Sequence, residues 1–156
     1  MKNKRTFIKK YFHVFLLERQ KKLIEKHYEF IKCKIDYINK KLICSGSIKL
    51  SDECQLYQFR ITYTCGYEPH SVLLEPYNIK PCQEIHMYDD HSLCLSYPPD
   101  MKWTAWTEVY KYTIPWVVEW VLYYEIYLRN GGKWEGRESP SHFSEHDRND
   151  IRVNLS

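Results

Sequence analysis

The stretch from Pro81 to Pro99, Pro-Cys-Gln-Glu-Ile-His-Met-Tyr-Asp-Asp-His-Ser-Leu-Cys-Leu-Ser-Tyr-Pro-Pro, concentrates reactive side chains. It holds two thiols (Cys82, Cys94), two imidazoles (His86, His91) and three carboxylates (Glu84, Asp89, Asp90). A thiol flanked by Leu93 and Leu95 in a proline-rich segment is a candidate nucleophile. A thiolate attacks an activated carboxyl and also leaves readily, which is what acyl transfer needs. The plainer reading of Cys94 is a small core thiol, because free cysteine is among the most buried residue types, and composition alone favours that reading. A metal site is a third reading. Cys82, His86, His91 and Cys94 are spaced C-x3-H-x4-H-x2-C, and zinc accepts such ligands. Those intervals match no familiar zinc finger, and the chain is long enough to bury a core without a metal, so no metal or cofactor is expected.

The elements that must hold this stretch are legible on either side of it. Ile8, Phe12, Phe15, Leu16, Leu23, Ile24, His27, Tyr28 and Ile31 recur at close to helical spacing, and no Gly or Pro interrupts residues 1–45. The spacing predicts one long helix, or two with a kink, over about residues 5–37. Strands are expected at 41–50, 56–64 and 71–75. In the second, Tyr57, Phe59, Ile61 and Tyr63 alternate with Gln58, Arg60 and Thr62, which gives a buried aromatic face and a wet one. These strands make a three- or four-stranded antiparallel meander packed on the first helix. Residues 76–103 read as irregular, punctuated by Pro76, Pro81, Pro98 and Pro99, but Ile85, Met87, Leu93 and Leu95 argue that the segment is ordered. A second helix starts at Pro115, a residue suited to a first helical position, and Asn130-Gly131-Gly132 stops it. A short separate helix over 104–113 would feed into it. The stripe Trp116, Val117, Trp120, Val121, Tyr124, Tyr127 and Leu128 reads as core, and Glu119 and Glu125 as capping or pairing groups. Trp134, Glu138 and His142 fit a structured turn packed back on the body. The expectation is one α+β domain over residues 1–145 with a polar tail at 146–156.

Bulk properties narrow the class. The chain has 156 residues, of which 44% are hydrophobic and 28% charged, ordinary for a globular domain. Net charge is +3, too small to imply nucleic acid, and the lysines crowding the first helix read best as a solvated face. No stretch reaches the ~20 apolar residues that span a bilayer. The start lacks a small-residue cleavage site, so no signal peptide is expected and the protein reads as cytoplasmic, with its six cysteines as free thiols. No CxxC pair is present, which argues against zinc ribbons and thioredoxin-like redox chemistry.

The reactive stretch resembles the active-site segment of ubiquitin-conjugating enzymes. There a His-Pro-Asn motif places a histidine eight positions before the catalytic cysteine, an aliphatic residue stands on each side of that cysteine, and a tryptophan follows. Here His86 lies eight residues before Cys94, Leu93 and Leu95 flank it, and Trp103 follows. A closer resemblance covers about residues 81–142. Leu93-Cys94-Leu95, Pro115-Trp116, Glu119-Trp120, Tyr124-Glu125 and Gly132-x-Trp134-x-Gly136-x-Glu138 are similar to the bacterial conjugating-enzyme-like proteins of CBASS antiphage operons.

That resemblance implies a ubiquitin-conjugating (UBC-like) fold: an N-terminal helix, an antiparallel meander, an active-site loop and C-terminal helices. It implies that Cys94 forms a thioester with the C-terminus of a cGAS/DncV-like nucleotidyltransferase and so regulates antiviral defence. Some relatives are fused to an adenylating domain; this chain resembles the stand-alone type. Met87 and Tyr88 replace the Pro and Asn of the eukaryotic motif, which puts transfer to lysine in doubt but not thioester formation. Tyr88 and Ser92 are then candidates for oxyanion or loop support, His86 for bracing the loop rather than acting as a base, and Trp103 and Trp106 for shielding the thioester. No membrane or nucleic-acid partner is expected. The alternatives are a catalytically inactive UBC-fold module that binds the nucleotidyltransferase, or a small zinc-binding structural protein.

Overall fold

The structure is a computed structural model and describes residues 2–95 and 101–136, with residues 2–8 and 10 described for their backbone only. Helix α1 (Lys2–His27) leads into four strands, β1 (Ile31–Asp36), β2 (Lys41–Ile48), β3 (Tyr57–Thr64) and β4 (His70–Glu75). After an irregular segment, helix α2 (Val109–Arg129) closes the described chain. The strands form one antiparallel sheet in sequence order, a meander. The architecture is α+β, as expected.

The sheet follows from its alternation. Tyr57, Phe59, Ile61 and Tyr63 on β3 are all at most 1% exposed, while their neighbours Gln58 and Arg60 face solvent. Gly46 of β2 lies opposite Phe59, and any Cβ there would stand 2.7 Å from the Phe59 ring, so the close approach of the two strands needs a glycine. The first expectation to fail concerns residues 28–37, which continue no helix. Ile31, Cys33 and Ile35 alternate with Lys32, Lys34 and Asp36, and the run pairs with β2 as strand β1. A helix of that length would have left the edge of β2 open; tertiary pairing decides the matter. Cys33 sits directly across from Cys44, with the sulfurs 3.0 Å apart.

Helix α1 buries less than its apolar spacing suggested. Leu16, Leu17, Gln20 and Ile24 form the buried face, whereas Phe12 and Phe15 are exposed. Among the α1 residues whose side chains are described, the buried ones lie in the second half of the helix. Gln20 is nearly fully buried because it is the cap of α2: its side-chain oxygen accepts the Val109 N–H at 3.1 Å and its amide donates to Thr107 C=O at 2.9 Å. Arg19 adds an ion pair to Glu108 at 2.5 Å, which holds that carboxyl below its usual range.

Helix α2 corrects two expectations. It is one continuous helix from Val109, so residues 109–113 belong to it and no second helix is observed in the described 104–113 region. Pro115 stands inside it rather than at its start. The Gln20 cap and the buried anchors Val109, Thr113 and Ile114 hold the turn before the proline despite the lost backbone donor. The C-terminal stop is as expected. Gly131 and Gly132 take left-handed φ values of 82° and 85°, and the Gly132 N–H donates to Tyr127 C=O at 3.0 Å, a Schellman closure. Glu125, buried on α2, accepts from Tyr57 of β3 at 2.6 Å and pairs with Arg129, so it is the pairing group expected. Burial pushes its carboxyl up, but these two partners outweigh it and hold it below the ordinary value.

Among the described residues no helix is long and apolar enough to cross a membrane. Glu138, His142 and the polar tail at 146–156 lie outside the described residues.

Candidate active site

Within the segment expected to be irregular, residues 83–94 form a small hairpin built onto the sheet. Gln83–Ile85 forms a single 3-10 turn that ends at His86 in the left-handed region, φ 54°. The chain then runs antiparallel to itself. Met87 faces Leu93, the Tyr88 N–H donates to Ser92 C=O at 2.9 Å, and the Cys94 N–H donates to His86 C=O at 2.8 Å. The loop Asp89-Asp90-His91 closes it, with His91 N–H on Tyr88 C=O at 2.8 Å and His91 itself left-handed at φ 64°. This is a three-residue hairpin loop ending in a left-handed residue.

The geometry gives the eight-residue spacing a physical meaning. In an antiparallel hairpin, residues opposite each other share a face. Met87 and Leu93 are buried in the core, so the pairs on either side, His86 with Cys94 and Tyr88 with Ser92, belong to the other face. The outer limb also pairs with β4: Leu93 N–H donates to Ser71 C=O at 2.8 Å and Leu73 N–H to His91 C=O at 3.0 Å. The hairpin thereby covers the open edge of β4.

His86 and Cys94 line one cleft together with Leu95 and residues of α2 and the loop after it. Trp116, Glu119, Trp120 and Tyr123 come from α2, and Trp134 from the loop. Trp120 is the tie between helix and hairpin: its indole N–H donates to Ile85 C=O at 2.7 Å, immediately before His86. The Schellman stop turns the chain back so that Trp134 packs against the His86 ring, with centroids 5.3 Å apart. Asn130 holds that return by bonding both the N–H and the C=O of Lys133, at 2.9 and 2.8 Å.

Cys94 is nearly buried, at 8% exposed, and its sulfur has a close neighbour. The sulfur accepts a hydrogen bond from Tyr88 Oη at 3.2 Å. A hydroxyl donor on sulfur favours the charged thiolate over the thiol. The cleft beside it has about 20 Å³ of free volume, room for roughly one water-sized group. Ser92 is committed elsewhere: its N–H donates to Asp90 at 2.9 Å and its hydroxyl to the same oxygen, which holds the Asp90 carboxyl below its usual value. Of the two candidates for oxyanion or loop support, then, Tyr88 reaches the sulfur and Ser92 braces the loop.

Over residues 20–142 the chain matches the family model described as Type II CBASS E2 protein. The chain belongs to that family of CBASS-associated E2-like proteins. No curated protein matches it.

In this E2-like protein the zinc-ligand spacing does not assemble. Among the described residues no group of three or more His, Cys, Asp or Glu side chains could hold a metal ion. Cys82 is exposed, and His91 stacks on Tyr77 with ring centroids 4.9 Å apart. The two tryptophans expected to shield a thioester do not line the cleft either. Trp103 is half-buried against the core, and Trp106 is 58% exposed, meeting Phe12 edge-on and Arg19 across its face. The aromatics that line the cleft are instead Trp116, Trp120, Tyr123 and Trp134. Glu119, expected to cap or pair, lines the cleft and makes no hydrogen bond or ion pair among the described residues. A signal for these was present in the sequence. Pro115-Trp116, Glu119-Trp120 and Gly132-x-Trp134-x-Gly136 carried the family resemblance, and Trp116, Glu119, Trp120 and Trp134 of these motifs line the cleft with Cys94.

Proposed function

We propose that this chain has a UBC-like fold and carries an acyl group on Cys94 as a thioester with the C-terminus of a cGAS/DncV-like nucleotidyltransferase, regulating CBASS defence. The observation that carries the reading is the hairpin register, which sets His86 beside Cys94 on a face where Tyr88 donates to the sulfur. Family membership supports the wider setting, a conjugating-enzyme-like role in a nucleotidyltransferase system.

The chemistry follows from the arrangement. The Cys94 thiolate, held by the Tyr88 hydroxyl, attacks the carbon of an activated carboxyl. The activating group departs and the S–C bond forms. The aromatic walls exclude bulk water and slow hydrolysis of the product. His86 contributes through its backbone: its C=O fixes the Cys94 N–H, and its ring, 5% exposed and against Trp134, is placed to brace the hairpin.

One observation favours a second reading, a module that binds the nucleotidyltransferase without chemistry: Cys94 is nearly buried and its cleft is small. Co-expression with a nucleotidyltransferase from the same operon separates the two. The conjugating reading expects an adduct by intact mass spectrometry that dithiothreitol releases and Cys94→Ala abolishes. A complex of equal strength in wild type and Cys94→Ala, with no added mass on either, establishes the binding module.

A further inference from the structure

We infer that Glu119 is the proton acceptor for an amine that discharges the acyl group from Cys94. The inference rests on Cys94 being an acyl carrier and adds the second half of the reaction.

The argument begins with the side chains that share the cleft. Apart from Cys94 and His86, the lining is Leu95, aromatic rings and one carboxylate, Glu119. The other carboxylate of α2 near the core, Glu125, is consumed by Tyr57 and Arg129. Glu119 has no such partner among the described residues. Trp120, its neighbour in sequence, is tied to Ile85, so the helix turn that carries Glu119 is fixed relative to the hairpin that carries Cys94. The free volume of about 20 Å³ admits a group the size of an amino nitrogen and little more. A carboxylate beside a one-group space next to a thioester is the arrangement of a general base.

The step balances without a further reagent. The amine nitrogen bonds to the thioester carbon, and as it does so its N–H protons become acidic. Glu119 takes one of them. The C–S bond breaks with its electron pair on Cys94 Sγ, and the proton passes from Glu119 to that sulfur. The products are an amide and a free thiol, with no change of oxidation state. This route supplies by a carboxylate what the motif's missing asparagine would not: a destination for the proton of an amine that is mostly protonated at neutral pH, since a free lysine titrates near ~10.4.

The test uses the full chain and a probe that needs no activating enzyme. Cys94 is loaded by exchange with a fluorescein-labelled glycylglycine thioester of mercaptoethanesulfonate. Discharge is then followed with free lysine and, separately, with hydroxylamine. Hydroxylamine is unprotonated at neutral pH and needs little help from a base. Glu119→Gln is expected to load as wild type does, to discharge to lysine about 10²-fold more slowly, in line with the loss of a general base, and to discharge to hydroxylamine within about twofold of wild type. Glu119→Asp should recover part of the lysine rate. Equal lysine rates in wild type and Glu119→Gln overturn the inference. So do equal losses with both nucleophiles, or a Glu119→Gln protein that fails to load, since either makes Glu119 structural. A wild-type chain that forms no thioester at Cys94 removes the acyl-carrier reading itself, an outcome distinct from all of these.

Discussion

Two cysteines of this chain are almost equally hidden and have opposite surroundings. Cys44 on β2 is fully buried and Cys94 in the hairpin is 8% exposed. The sulfur of Cys44 meets another thiol, Cys33, across the strand pair, and that contact together with burial raises its proton affinity far above the ordinary value. The sulfur of Cys94 meets a hydroxyl donor and opens on a cleft. Burial alone therefore does not separate a structural thiol from one proposed to react. The neighbour that can stabilise negative charge does, together with a path for a reactant.

The sharpest way to break the comparison is to exchange the two sites. Cys94→Ala should abolish any dithiothreitol-sensitive acyl adduct, while Cys44→Ala should keep it, as read by intact mass spectrometry. An adduct that survives Cys94→Ala and disappears in Cys44→Ala inverts the assignment. Next in size is the link between helix and hairpin. Trp120→Ala should destabilise the fold by about 3–5 kcal/mol in urea unfolding, the usual range for a truncated core aromatic. Trp120→Phe isolates the hydrogen bond to Ile85: it should slow alkylation of Cys94 by iodoacetamide with a stability loss of about 1–3 kcal/mol. Unchanged Cys94 reactivity in Trp120→Phe would show that the hairpin holds its register unaided.

A third test separates global stability from the site. The Glu125 carboxyl sits below its ordinary value in the folded chain, so its contribution is fully present above the unfolded value, near ~4.3, and is lost as pH falls through the lower folded value. Wild type should lose stability over that acid window, and Glu125→Gln, less stable at neutral pH, should lose less of it. A parallel acid profile for the two proteins would remove Glu125 from the account. The smallest effect is local. Tyr88→Phe should slow Cys94 alkylation by about two- to tenfold, the worth of one hydrogen bond, and leave the melting temperature within a degree or two. Cys44 should stay unmodified in both proteins until they unfold.

The sheet and the closing helix were legible because their signals are local. The aromatic alternation of β3 and the Asn130-Gly131-Gly132 stop are written in a few adjacent residues. The boundary of α1 was not, because Ile31 and Ile35 fall at helical spacing from Ile24 and, together with Cys33, at strand spacing, and only the edge of β2 decides between them. At the site, His86, Tyr88 and Cys94 were legible through one short interval that a hairpin converts into adjacency. Glu119 and Trp134 were not placed, because each reaches Cys94 from a different element, and no interval along the chain encodes that meeting. Trp103 and Trp106 are the reverse case: they are near Cys94 in sequence but are not among the residues lining its cleft.

The hairpin that bears Cys94 is also the cover of β4. An uncovered strand edge offers a row of backbone donors and acceptors on which another chain can template. The segment that displays the thiol thus doubles as the molecule's guard against self-association along that edge. Substitutions that loosen it would be felt first in the test tube as turbidity, whatever Cys94 does.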